Sequence, residues 1–436
     1  MNYKTDFRLI DKKIQCLNIE NTDNDNQIYI CDNLKQFKKY LTTDNELIIV
    51  EKFIDFMFKN DLEIIFDNFY KFIFYLVNSI AVKINEGVDD EILNRYVLAL
   101  FLISSNKKIR IFLFNCETID VLFNVCKFYN NLSLFYALKT LLNIADETKE
   151  LLREKIELLI DICNNNENHQ ITGTCFEIIS LIIYQNEEYG HKVVDMFLSK
   201  LNNGNCFEKI KILSSLKNLL ICSKNCFNEL ISFGIHKIFI KKLFSVITDE
   251  VNDSLDALYF ISQTEQIKEI SNQETIYGIN VVLHSKIRRQ LSLSFLILSN
   301  LFQYSSSVIT YLSSTEIIPI ICDSLSDTSE FQIKIDSSYA ISNLILRSNE
   351  EIVLYIYERN VIRTLIDNLS VSPEKYINRI LEALLFIVSA FPNFIKTYIP
   401  ALSEYIQSTV KDTLNVSLQT AAKLDDLIAN LRSIVV

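Results

Sequence analysis

Glycine and proline are scarce, with six and four in 436 residues, and every proline lies beyond residue 318. Glycine-rich loops that cradle phosphate are therefore missing, as are the GxSxG and HExxH signatures of hydrolase and zinc-protease sites. Histidine is equally thin: His169, His191, His236 and His284 stand apart from one another. The ten cysteines lack paired spacing, Cys222 and Cys226 being the only close pair, and most sit among apolar neighbours such as LFNVC, LLIDIC and IPIIC. Buried reduced thiols account for them better than disulfides or a zinc site does. Enzyme chemistry has almost nothing to stand on, no cofactor or metal is implied, and the expectation is a protein that is not an enzyme.

Long apolar runs are lacking too. The richest stretch, FIFYLVNSIAV at 72–82, is broken by Asn78 and Ser79, well short of the roughly 18 apolar residues a membrane span requires. The opening MNYKTDFRLIDKK has no apolar signal-peptide core, so no membrane partner and a location in cytoplasm or nucleus are expected. Basic blocks are absent beyond pairs such as Lys12-Lys13 and Arg288-Arg289, and the formal net charge is −11. A nucleic-acid partner needs a basic stripe and is not expected; an acidic balance suits a partner rich in lysine and arginine.

What the sequence does have is a repeat. With 49% hydrophobic residues it can bury a large core. Helices with a small or apolar start and an apolar stripe recur as YVLALFLISSN (96–106), YALKTLLNIAD (136–146), TCFEIISLIIY (174–184) and ILSSLKNLLIC (212–222). They continue as DALYFISQTEQ (256–266), SFLILSNLFQY (294–304), SYAISNLILRS (338–348) and RILEALLFIVS (379–389). Aligned, they place equivalent residues at 102, 143, 181, 218, 263, 300, 343 and 386, spaced by 37 to 45 residues. Two or three helices plus tight turns fit that period, the range of helical solenoids. A second helix recurs between them, as in FGIHKIFIKKLFSVI (233–247), EIIPIICDSL (316–325) and RNVIRTLIDNL (359–369). Gly234 and Asn360 precede two of these and tolerate the left-handed backbone of a sharp turn, whereas Glu316 precedes the third.

The spacing therefore predicts an all-α helical-repeat superhelix of nine or ten repeats. Residues 1–33 read as a polar, loosely ordered segment, 34–80 as capping helices, 81–400 as the repeats and 401–436 as a closing helical pair.

One helix asks for an explanation. FQIKIDSSYAISNLI (331–345) sets Asp336, Tyr339 and Asn343 at i, i+3 and i+7, on one face. Asparagine recurs at that position as Asn143, Asn218 and Asn300, and Asp256 and Tyr259 repeat the D-x-x-Y spacing. An asparagine ladder could pair with the main chain of an extended peptide, since each amide both donates and accepts. Tyrosines one turn earlier would wall slots for long cationic side chains, and aspartates would select lysine or arginine. The bland alternatives are helix caps, half-buried packing aromatics and solvated surface charges.

The block FQIKIDSSYAISNLI with YERNVIRTLIDNL and ILEALLFIV resembles the late armadillo repeats of the importin-alpha family of nuclear-import adaptors. DALYFISQ (256–263) and SLKNLLICSKN (215–225) also resemble repeats of that family. The similarity spans about residues 90 to 430 in layout and is strong from about 295 to 390. It implies an armadillo fold whose groove binds lysine- and arginine-rich nuclear localisation peptides. Tyr259 and Tyr339 fall on the family's tryptophan positions, Asn300 and Asn343 on its asparagines, and Asp336 on its acid. Asn143 and Asn218 match asparagines of earlier repeats, with Asp146 and Glu147 where the family places a lysine-selecting acid. The departures are that the chain has no tryptophan, that Lys139 and Glu177 occupy two tryptophan positions, and that the N-terminus lacks the arginine-rich segment that engages importin-beta. Two readings follow: an import adaptor for basic peptides, or a general armadillo scaffold, such as a chaperone-type platform, that has lost localisation-signal binding.

Overall fold

The computed structural model describes residues 50–51, 53–54, 66–107, 110–114, 116–183, 189–203, 206–325, 330–369, 372–395 and 417–435. These divide into two compact units, one up to Asn225 and one from Cys226. Among the described residues every regular element is a helix. The expectation for 1–33 lies outside the described residues, as does most of 34–65.

The first unit contains α1 (Phe66–Glu86), α2 (Asp90–Ser104), α3 (Cys116–Phe128), α4 (Asn131–Ile144), α5 (Ile156–Asn165), α6 (His169–Ile182), α7 (Gly190–Asn203) and α8 (Cys206–Cys222). Helices α2, α4, α6 and α8 stack in order, while α3, α5 and α7 pack behind them as a second layer. A short first element precedes two of the second-layer helices, as 3₁₀ turn Arg110–Leu113 does α3 and helix Lys149–Arg153 does α5. The repeat therefore has three elements, the first often a single turn.

The second unit repeats the plan with α9 (Ile235–Lys242), α10 (Thr248–Ser262), α11 (Gln273–Leu283), α12 (Arg288–Tyr304), α13 (Ile317–Ser324), α14 (Phe331–Ile345), α15 (Glu350–Glu358), α16 (Val361–Leu369), α17 (Glu374–Ala390) and α18 (Leu418–Val435). Here α10, α12, α14, α17 and α18 form the stacked layer, with α9, α11, α13 and α16 packed against it. Of the closing pair expected in 401–436, α18 is described and residues 396–416 lie outside the described residues.

Local chemistry sets the ends of these helices. Asn168, Asn272 and Asn349 cap α6, α11 and α15 by accepting from the main-chain N–H of Gln170, Thr275 and Ile352, which satisfies donors the first turn leaves orphaned. The turns into α9 and α16 are left-handed at Gly234 (φ 78°) and Asn360 (φ 58°), as the sequence requires, whereas Glu316 before α13 sits at φ −95°. Gly87 and, against residue preference, Lys286 lie in the turns before α2 and α12, and Asn131 opens α4, all with positive φ.

Burial explains why α14 reads as a poor amphipath. Every residue from Ile335 to Ile345 is buried, including Asp336, Ser337, Ser338, Ser342 and Asn343. The helix is enclosed by α12, α17, α13 and α16, so its polar side chains must find partners inside the protein.

Candidate functional site

The polar row of α14 is a set of bonds between repeats. Asn343 donates its amide to Ser299 Oγ on α12 and accepts at Oδ1 from Arg379 Nε on α17. Arg379 also reaches Glu382 at 2.7 Å, and Lys423 of α18 meets the same carboxylate at 2.5 Å. Ser299, Asn343, Arg379, Glu382 and Lys423 thus form one chain of contacts across four stacked helices. Burial pushes the Glu382 carboxyl up, but Lys423 and Arg379 outweigh it and hold it below the usual glutamate value.

The donor–serine arrangement recurs. Asn300 donates to Ser262 Oγ at 2.8 Å, and Asn143 to Ser104 Oγ at 2.9 Å. In the two second-unit bonds the acceptor lies one residue before the aligned position of the preceding repeat. Applied to α2, that rule moves the equivalent of Asn143 from Leu102 to Ser105, a three-residue correction to the sequence register. Asn218 is half-buried on α8 and makes no such bond to Ser180, whose hydroxyl donates to Glu177 O at 2.8 Å.

Asp336 is fully buried. It accepts from Ser292 on α12 and, at 3.0 Å, from Gln332 on its own helix. Burial raises its carboxyl above the ordinary aspartate value, against the pull of those two hydrogen bonds. Tyr339 is 8% exposed, packed edge-on against Tyr376 of α17 with ring centroids 4.7 Å apart. The ammonium of Lys375 lies 5.6 Å over the Tyr339 ring. Burial raises the Tyr376 phenol to about 12, with charge on Asp336 and then Tyr259 adding to it. Tyr259 is raised by burial and by Asp336 in the same way. The structure therefore brings Tyr259, Asp336, Tyr339 and Tyr376 into one electrostatic neighbourhood. Tyr376 was missed by sequence because it does not fall on the aligned repeat position.

Openness separates these residues. Asp256, Tyr259, Leu296 and Asn300 are half-exposed on α10 and α12, whereas the corresponding α14 residues are sealed. Asp256 is held by both carboxylate oxygens, each 2.7 Å from Arg289 Nη2. In the first unit, Lys139 lies 5.7 Å over the ring of Phe135, and Glu177 pairs with Lys211 at 2.5 Å. Glu147 pairs with Arg110, which also donates to Asn143 O at 3.0 Å, and Asp146 meets Lys149 at 3.1 Å. Among the described residues no group of three His, Cys, Asp or Glu could hold a metal ion, and no helix is long and apolar enough to cross a membrane.

No family model matches the sequence, and no curated protein matches it. Solved structures do match the fold. The crystal structure of an engineered protein matches with a TM-score of 0.68 at 14% identity, over 91% of this chain and 98% of its own. A structure concerning a phosphorylation switch in the interaction between cadherin and beta-catenin matches with a TM-score of 0.68 at 10% identity, over 93% of this chain and 84% of its own. A designed armadillo repeat protein matches with a TM-score of 0.46 at 16% identity, over 54% of this chain and 98% of its own. The chain has an armadillo-type helical-repeat fold.

Proposed function

We propose that the protein is an armadillo-type interaction scaffold that holds an extended segment of a partner protein against α10 and α12. The observation that carries this reading is the half-exposed row of Asp256, Tyr259, Leu296 and Asn300 on two adjacent stacked helices. Tyrosine offers a flat apolar face with a polar tip, and leucine beside it offers an aliphatic floor. Asn300 spends its amide N–H on Ser262, which leaves its carbonyl oxygen as an acceptor for a peptide N–H. Fold alone supports many functions, so the reading rests on this row.

The finer reading is an import adaptor for lysine- and arginine-rich peptides, active in cytoplasm and nucleus. The net charge of −11 and the neighbourhood of tyrosines around Asp336 support it. Against it, the acids in question are already engaged: Asp256 by Arg289, Glu382 by Arg379 and Lys423, and Asp336 by burial. A basic ligand would have to displace Arg289 to reach Asp256. The general scaffold is therefore the stronger reading.

Fluorescence titration of the full chain with three labelled extended peptides, one lysine- and arginine-rich, one neutral and one acidic, separates the two. The scaffold reading expects binding at roughly micromolar Kd that persists in moderate salt and weakens about tenfold in Tyr259→Ala and Leu296→Ala. The adaptor reading expects only the basic peptide to bind, with Asp256→Ala the most damaging change. Binding by none of the three, or binding indifferent to Tyr259 and Leu296, would overturn the assignment of this surface.

A further inference from the structure

Three cysteines of the first unit are buried on helices of two adjoining repeats. Cys126 on α3, Cys163 on α5 and Cys175 on α6 are all buried and free, the last two with no exposed surface. Helices α5 and α6 pack directly together. The Cys163 thiol points at α6, with Sγ 3.9 Å from Thr172 O. Cys175 lies three residues further along α6, one turn on and on the same side. Both cysteines therefore belong to the same buried seam between α5 and α6, where burial raises the Cys175 thiol and Cys163, then Cys126, add to that rise. A cysteine that merely fills core needs no second cysteine in its seam, whereas two thiols in one helix–helix seam set up one specific reaction. A metal would require deprotonated thiols, yet burial holds the Cys175 thiol well above its ordinary value, and these residues do not form a metal-holding group.

We propose that Cys163 and Cys175 are a cross-linking pair that closes into a disulfide stapling α5 to α6, with a small organic disulfide such as glutathione disulfide as the oxidant. The thiolate of one cysteine attacks the oxidant, forming a mixed disulfide and releasing one small thiol. The second cysteine then loses its proton and attacks the protein sulfur of that mixed disulfide, releasing the second small thiol. Two protein thiols give up two electrons and two protons, and one oxidant molecule becomes two thiols. The intervening loop, Asn166–Asn168, joins the end of α5 to the start of α6, so closure joins elements that are already neighbours. Because both sulfurs are buried, the oxidant gains access only when α5 and α6 part locally. The pair then records that opening and holds the repeat closed afterwards.

The test uses the full chain, folded, incubated with glutathione disulfide and then alkylated in denaturant. No lysine or arginine lies between the two cysteines, but Glu167 does, so cleavage after glutamate puts them on separate peptides. The expected product is one linked pair of peptides containing Cys163 and Cys175, lighter by two hydrogens than the reduced peptides together, with a higher melting temperature for the oxidised protein. Adding a low concentration of urea should accelerate its formation. Cys163→Ser and Cys175→Ser should each abolish the linked product. If either variant fails to fold, mapping in the wild-type chain still decides. The proposal is overturned if Cys163 and Cys175 remain singly alkylated while exposed cysteines are consumed, or if either is found linked to another cysteine instead.

Discussion

Asn300 donates its side-chain amide to Ser262 Oγ, 2.8 Å away on the preceding stacked helix. Ser262 in turn donates its own proton to Tyr259 O, 2.6 Å back along its helix. The serine thus keeps one bond within its helix and offers a lone pair across the repeat boundary. Ser104 does the same, donating to Phe101 O at 2.7 Å while accepting from Asn143. Asparagine at this position works as a clamp between repeats.

Removing the clamp should therefore cost stability in proportion to what it leaves unpaired. Asn300→Ala strands no buried donor, because Ser262 retains its own carbonyl partner, and should cost about 1 kcal/mol. Asn343→Ala deprives the Arg379 guanidinium of an acceptor and opens a void in the buried stretch of α14. It should cost about 2–3 kcal/mol. Urea unfolding of the two variants beside wild type checks the order, and equal losses would mean that Arg379 gains little from Asn343.

Asp336 makes stability depend on pH in an unusual direction. Its carboxyl titrates above the ordinary 3.8 when folded, so in the window between those values the unfolded chain has lost a proton that the folded chain keeps. Folding is then favoured by the proton, and stability from this residue is full below 3.8 and declines as pH rises through the folded value. Asp336→Asn keeps the shape, can still accept from Ser292, and carries no charge to desolvate. The variant should be at least as stable as wild type at neutral pH and should lack this decline. Urea midpoints between about pH 4 and pH 8 test it; a variant much less stable at pH 7 would show that the ionised carboxylate is what the site requires.

The repeat, its helices and two of its turns were legible in the sequence because apolar periodicity and left-handed Gly234 and Asn360 leave local signatures. The first helix of each repeat was harder to see. Ile267–Ile270 is a single turn and Ser306–Ser314 is 3₁₀, too short to show a period. The polar row of α14 was legible as a pattern, but not where it points. Aspartate and asparagine look alike in sequence whether they face water or a neighbouring helix. The partners that decide the matter, Ser292, Ser299 and Arg379, lie 36 to 44 residues away. The open and sealed halves of the tyrosine and asparagine row differ by how repeats pack, not by the residues that carry it.

Close approach rather than a turn explains Gly278. A Cβ there would sit 2.7 Å from Leu243 Cδ1 and 3.0 Å from Leu243 Cβ. Gly278→Ala should therefore destabilise, the overpacking of about 1–3 kcal/mol outweighing the ~1 kcal/mol that alanine gains in a helix. The penalty should shrink in a Leu243→Ala background, where the 2.7 Å contact with Cδ1 is gone and the 3.0 Å contact with Cβ remains. A thermal or urea double-mutant cycle reads this directly, and an equal penalty in both backgrounds would remove the Leu243 side chain beyond Cβ as the cause.

Lys286 is the counterexample among the turns. It is exposed and left-handed, with φ 58°, between α11 and α12. The equivalent positions are Gly87 in the turn before α2, at φ 66°, and Asn131 at the start of α4, at φ 58°. A lysine there carries the Cβ–carbonyl crowding of the left-handed region, about 1–2 kcal/mol, which asparagine relieves by local hydrogen bonding. Lys286→Asn should raise stability by about 0.5–1 kcal/mol. Lys286→Gly should gain less, because glycine loses more backbone freedom on folding. Lys286→Val should lose stability, since branching at Cβ worsens the crowding. The expected order in urea midpoint is asparagine, glycine, lysine, valine; valine at or above lysine would mean that the turn relaxes out of the left-handed region and that the strain does not exist.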